Sequence, residues 1–155
     1  RMVCAKLGRP APRSRTAITP LFGGEFERFD ALEQDALAGR PAGVSAASIE
    51  ALVRNHGSAH ARVLAHGAED PSLLAALPGS DTLRAEVVHA VREEMALRLE
   101  DVVFGRTDLG TAGDPGGEAL EEAARLMAAE LGWDDARREA ELSGVLSRRS
   151  AWEGI

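Results

Sequence analysis

The chain has 155 residues, enough for one ordinary domain with its own core, and a 45% apolar share to fill it. Only 4% is aromatic and tyrosine is absent, so the core material is Leu, Val and Ala, which favours packed helices over a sheet. A net charge of −7 argues against a nucleic-acid groove, one cysteine excludes an internal disulfide, and no apolar run reaches the ~18 residues of a membrane span.

The first segment, RMVCAKL, reads as the last turns of a helix stopped by Gly8-Arg9-Pro10. It lacks the apolar block of a secretory signal, and Arg1 ahead of Met2 suits a fragment or a processed piece. Arg1 to Arg15 holds five basic residues and no acid, a solvated basic linker beside an acidic body. Ala11 to Pro20 is expected to be extended, because Pro10, Pro12 and Pro20 forbid a continuous helix. Phe22, Phe26, Phe29 and Leu32 then mark a short helix or packed loop that ends near Gly39, and the Gly/Pro cluster to Gly43 is the best boundary.

From Ser45 the signals are helical. Ser48 is expected to cap one helix up to Gly57, Ser58 the next up to Gly67, and Asp70-Pro71 to start a third that ends at Pro78-Gly79. Asp81 or Thr82 opens a long helix. In it Val88, Val91, Met95, Leu99 and Val102, spaced three, four, four and three, predict one continuous buried stripe that ends at Gly105. TDLGTAGDPGG is a loop. Leu120, Ala124, Met127 and Leu131 mark a helix stopped by Gly132, and Asp134 or Asp135 caps a last one from Ala136 to about Leu146, followed by a frayed tail. The expectation is an all-α fold, a bundle of five or six helices with an extended N-terminal arm.

Local motifs carry no complete catalytic apparatus. In EVVHAVREEMA, Glu86, His89 and Glu93 share a helix surface, where they can hydrogen-bond or pair. They lack the two histidines four residues apart of a zinc helix, so no metal ligand is assigned. NHGSAH brings His56, Ser58 and His60 together without a nucleophile elbow, so Ser58 reads as a cap. Cys4 reads as a small apolar residue. GDPGG lacks the Lys-Ser/Thr of a phosphate loop, and no G-x-G-x-x-G fingerprint is present. A metal-dependent hydrolase built on His56, His60 and His89 is the third reading, with no bound ion expected.

LRAEVVHAVREEMALRLEDVVFGRTDLG, followed by EEAARLMAAELGWDDARREAEL, resembles the C-terminal helical domain of FAD-dependent glycerol-3-phosphate dehydrogenases and alpha-glycerophosphate oxidases. The resemblance rests on Ala85, Glu86 and Val87, Ala90 and Val91, Glu94 to Ala96, Asp101, Arg106-Thr107, and Leu131-Gly132-Trp133. Upstream, PRSRTAITPLFGGE resembles the stretch that leads out of the flavin domain, and HGSAHARVL a helix start of the family. Two positions depart from the pattern. His56 stands where tyrosine is usual, and Gly105 replaces the first arginine of an Arg-Arg-Thr triplet.

The resemblance implies that residues 1–43 are the end of the flavin domain and a linker arm, and 44–155 the C-terminal helical domain. It implies an enzyme that oxidises sn-glycerol 3-phosphate to dihydroxyacetone phosphate with FAD and passes electrons to a quinone, with oxygen the acceptor in some relatives. FAD and the catalytic residues then belong to the flavin domain of the same chain, and this piece holds no cofactor and is inactive alone. Arg106, Thr107, Glu94 and Asp101 are the implied interdomain contacts. Cytoplasmic location, with the whole enzyme peripheral on the inner face of the cell membrane, and homodimerisation go with that reading. The alternative from another class is a free-standing helical adaptor without redox activity.

Overall fold

The computed structural model describes residues 2–153 apart from Pro12, Ala112, Gly113 and Pro115, with side chains as far as Arg148. A short helix, α1 (Met2–Lys6), opens the arm. A largely irregular segment with one 3-10 turn at Thr16–Ile18 leads on to α2 (Phe29–Ala38). The expected extended run thus holds for Ala11 to Pro20 except at that turn, and Pro12 lies outside the described residues.

Helix α2 already joins the core through Ala36, as does Val44 after it, and Ser45 Oγ then accepts the Ser48 N–H at 2.9 Å and caps α3 (Ala46–His56). Ser48 is buried inside the helix and is not its cap. After a 3-10 turn at Gly57–Ala59 comes α4 (His60–Ala65), and Ser58 is not a cap either, because its hydroxyl donates to Glu25 and takes no helix N–H. Asp70 caps as expected, its carboxylate accepting the Ser72 N–H at 2.9 Å. The expected helix to Pro78 is only a 3-10 turn from Pro71 to Leu74, because Ala75 is extended and Ala76 pairs with Leu83. A single antiparallel bridge between Ala76 and Leu83 then turns the chain into the core.

Neither Asp81 nor Thr82 caps the next helix, α5 (Arg84–Glu94). Its start lies inside the protein, where water cannot satisfy the first N–H groups. Glu86 supplies the acceptor instead: its Oε1 takes the Leu83 N–H at 2.8 Å. Six consecutive residues of this helix, Ala85 to Ala90, are buried. A helix buried on all sides must be enclosed by neighbours, and α5 packs on α7 (Gly116–Leu131) on one side and on α4 and the 3-10 turns on the other. Arg92 reinforces this, reaching Glu130 of α7 at 2.8 Å with two nitrogens and Glu69 at 2.9 Å.

The expected single long helix is two. At Met95 the backbone turns left-handed (φ 59°, ψ 32°), the Ala96 N–H closes onto the Ala90 carbonyl at 2.9 Å, and Met95 is 80% exposed. The chain restarts as α6 (Leu99–Asp101), which widens into a π turn at Val102–Arg106. Asp101 makes the restart possible, since its Oδ2 accepts the N–H groups of Leu97 and Arg98 at 3.0 and 2.9 Å. Leu99 and Val102 are fully buried, but from a second helix that meets the core at a new angle. Buried Ala96, not Met95, fills the gap between them.

Helix α7 has Ala119, Leu120, Ala123, Ala124 and Met127 almost wholly buried, and Gly132 ends it at φ +68°. Asp134 Oδ1 accepts the Arg137 N–H at 2.7 Å and caps α8 (Asp135–Glu153), longer than the expected stop near Leu146. The end of the expected frayed tail, Gly154 and Ile155, lies outside the described residues. Five helices of ten or more residues, α2, α3, α5, α7 and α8, carry the fold, so the all-α expectation holds.

Glu86→Ala strands a buried N–H and a histidine at once, and should cost about 3 kcal/mol. For a chain of this size that is a melting temperature lower by roughly 6–12 °C in a circular-dichroism melt. Glu118→Ala, on the exposed first turn of α7, should leave it unchanged.

Candidate functional site

The arm and the helical body meet where two glycine motifs cross. Gly23, at φ +80°, lies against the end of α3, and its carbonyl accepts the Ser58 N–H at 2.9 Å. A Cβ on Gly57 would stand 2.0 Å from the Gly23 oxygen, and one on Gly23 would stand 2.6 Å from the His56 oxygen. Backbone lies directly on backbone, which only glycine allows. Phe26 packs over this crossing and meets Phe29 edge to face at 5.9 Å. Phe22 stays 66% exposed, with the Arg62 guanidinium 5.4 Å from its ring centre.

Beneath the crossing, the end of α3 is tied to α5. His56 Nε2 lies 3.3 Å from Glu86 Oε2 in a nearly dry environment, so the ring donates from Nε2 to the carboxyl. His56 Nδ1 then faces Glu94 Oε1 at 3.9 Å. Next in line, His89 Nδ1 and His66 Nε2 are 3.2 Å apart. The His89 ring is almost fully buried. Burial lowers its pKa to about 4, and the neighbouring His56 and His66 push the same way. The sequence places His89 with Glu93 on a solvated helix surface, but only Glu93 is there, paired with Arg62 at 3.0 Å. His60 turns aside, its Nδ1 on the Gly57 carbonyl at 2.9 Å.

The four residues expected at a domain interface separate into two kinds. Asp101 is spent inside the domain as the cap described above. Thr107 is buried, its hydroxyl donating to the Val102 carbonyl at 2.8 Å, so it closes the π turn. Arg106 and Glu94 are together at the surface: Arg106 Nε is 3.6 Å from Glu94 Oε2, and Arg106 Nη2 donates to the Glu94 carbonyl at 3.3 Å. Beside Glu94 stands exposed Met95, and Glu93 next to it leads through Arg62 to Phe22. Contacts thus run from the arm through Phe22, Arg62 and Glu93 to the end of α5, where Met95 is exposed and Glu94 pairs with Arg106 and faces the buried His56. The contacts of His56 with Glu86 and Glu94, thirty and thirty-eight positions away, have no local signal in the sequence.

A family model described as the C-terminal domain of alpha-glycerophosphate oxidase matches residues 14–138. Proteins called glycerol-3-phosphate dehydrogenase 2 from Mycobacterium bovis and from two strains of Mycobacterium tuberculosis are 34% identical over 104 residues. The alignment covers 64% of this chain and 17% of each relative, so the chain corresponds to a small part of their length. No solved structure matches it significantly.

Gly57→Ala should displace the arm, because φ +55° and ψ −133° suit only glycine and the added carbon meets backbone. The expected loss is at least about 2 kcal/mol, with faster limited proteolysis of the arm. Gly79→Ala, equally positive in φ but facing open space, should cost only about 1 kcal/mol and leave the arm protected.

Proposed function

This chain belongs to the family of C-terminal domains of alpha-glycerophosphate oxidase, and from that premise we propose that it is the helical C-terminal domain of an FAD-dependent glycerol-3-phosphate dehydrogenase. The reaction of the whole enzyme is then the oxidation of sn-glycerol 3-phosphate to dihydroxyacetone phosphate. FAD, held by a flavin domain, supplies the two-electron acceptor for the hydride and hands the electrons to a quinone. A dinucleotide fold needs parallel strands and a Gly-rich turn into a helix, and the described residues contain no strand beyond one isolated bridge. The residues present do not fit FAD, so cofactor and catalysis are assigned to the flavin domain and this domain is inactive alone.

What this chain contributes is a docking surface, and one observation carries that reading. Residues that carry the family resemblance, Gly23, Gly57, Glu94 and Arg106 among them, lie beside uncovered apolar side chains of the arm and of the end of α5. Leu21 is 84% exposed, and Phe22, Ile18 and Met95 are also largely open. A Met held in the left-handed region at a cost of roughly 1–2 kcal/mol places its side chain outward for a partner. Arg106, at the C-terminal end of the π turn, can pair with a carboxylate or with the substrate side of the flavin domain. Quinone as acceptor places the whole enzyme at the inner face of the cell membrane, although no helix among the described residues is long and apolar enough to cross it.

Mixing the purified chain with a folded flavin domain of a family dehydrogenase should give a one-to-one complex in size-exclusion chromatography with light scattering. Phe22→Ser combined with Arg106→Glu should weaken that complex at least tenfold, and the chain alone should show no flavin absorbance. No complex at all, or one indifferent to both changes, would contradict the docking role. Stoichiometric flavin on the chain alone would contradict the division of labour.

A further inference from the structure

The histidine cluster is larger than a domain interface requires. His56, His89 and His66 form a row, with ring centres 5.7 and 5.5 Å apart, between the end of α3, the turn after α4 and the middle of α5. One nitrogen of each inner ring is already engaged, His56 Nε2 on Glu86 and His89 Nδ1 on His66. Those bonds leave His56 Nδ1 and His89 Nε2 as the remaining ring nitrogens. One ligand atom from each of His56, His89 and Glu94 lies within 4.8 Å of the other two.

We propose that His56, His89 and Glu94 bind one divalent transition-metal ion of the zinc class, with Glu86 and His66 orienting the two imidazoles. Two imidazoles and a carboxylate are a donor set that zinc accepts, and three protein ligands leave a fourth position for water or a ligand. Metal-binding histidines almost always donate their other ring N–H to a carboxylate or an equivalent acceptor, and His56 on Glu86 has that arrangement.

The geometry is within reach of a bound ion. Donors around a tetrahedral zinc at ~2.1 Å stand roughly 3.4 Å apart. The His56–Glu94 edge, at 3.9 Å, is longer than that by only about half an ångström. Glu94 is the ligand free to close the gap, since it is partly exposed and α5 ends immediately after it. Arg106 holds its other oxygen, which keeps Oε1 turned toward His56. The carboxylates of Glu86 and Glu94 balance the dication, while Arg106 is the nearest opposing charge. The site differs from the hydrolase trio of the sequence reading, because His60 faces the Gly57 carbonyl and Glu94 takes its place. It shares Glu94 and Arg106 with the docking surface, so the two are tested apart, zinc on this chain alone and docking with the flavin domain.

The test is a zinc titration of the metal-free 155-residue chain in competition with a chromogenic chelator, alongside cobalt(II) absorption. The proposal expects one ion per chain, a visible d–d spectrum with cobalt, and a higher melting temperature that EDTA reverses. Glu94→Gln, with its fold verified by circular dichroism, should weaken zinc at least about tenfold, and so should His56→Gln if it folds. Glu93→Gln, one position away on the solvated face, should bind as the unaltered chain does. No ion at one equivalent, or binding that Glu94→Gln leaves unmoved, would overturn the proposal. Neither result would touch flavin-domain binding.

Discussion

The Glu86 carboxyl is the interaction on which the other parts rest. A helix that begins inside a protein has N–H groups without water, and burying a polar group without a partner costs kilocalories. Glu86 meets that constraint from within its own first turn, with one oxygen on the Leu83 N–H and the other on His56. The first bond lets α5 start in the core. The second fixes the end of α3 against it. Because both oxygens are used in a dry setting, neither helix can shift without leaving a buried group unpaired.

The surface follows from that fixed pair of helices. With His56 held, Gly57 turns at a conformation closed to other residues, and Gly23 can lie directly upon it. The arm is thereby pinned at one point, while Leu21 and Phe22 remain open. At the other end of α5 the left-handed Met95 turns the chain, and the π turn after α6 returns Arg106 to Glu94. Rigid backbone beneath and uncovered apolar atoms above are what an intramolecular docking face needs, since little order remains to be imposed when the partner arrives. Under the proposed function the partner of that surface is a flavin domain.

Much of this was readable where the signal is local. The Leu120–Met127 spacing with Gly132 behind it, the Asp134 cap and the Asp70 cap depend on neighbours in sequence, and each stands as expected, although the helix that Asp70 opens stops at Leu74. The long helix was not, because a three-four-four-three spacing is satisfied equally by one helix and by two that share a core. Asp101, placed to accept from Leu97 and Arg98, is the residue that marks the break. Ser45 and Ser48 compete for one cap, and spacing alone does not separate them. His89 reads as a surface histidine because the helices that enclose α5 come from distant parts of the chain. Resemblance singled out Glu94, Arg106, Asp101 and Thr107 alike, and sequence alone does not show that Asp101 and Thr107 also hold local turns while Glu94 and Arg106 pair at the surface.

The central claim is that His56 donates from Nε2 to Glu86 and so joins α3 to α5. Long-range proton–nitrogen NMR correlation of the histidine rings at neutral pH, on metal-free protein, addresses it most directly. The account predicts a protonated Nε2 and a bare Nδ1 at His56, with the Nε2 proton shifted downfield by the carboxyl. A ring protonated at Nδ1 alone, or one exchanging freely with solvent, would contradict it.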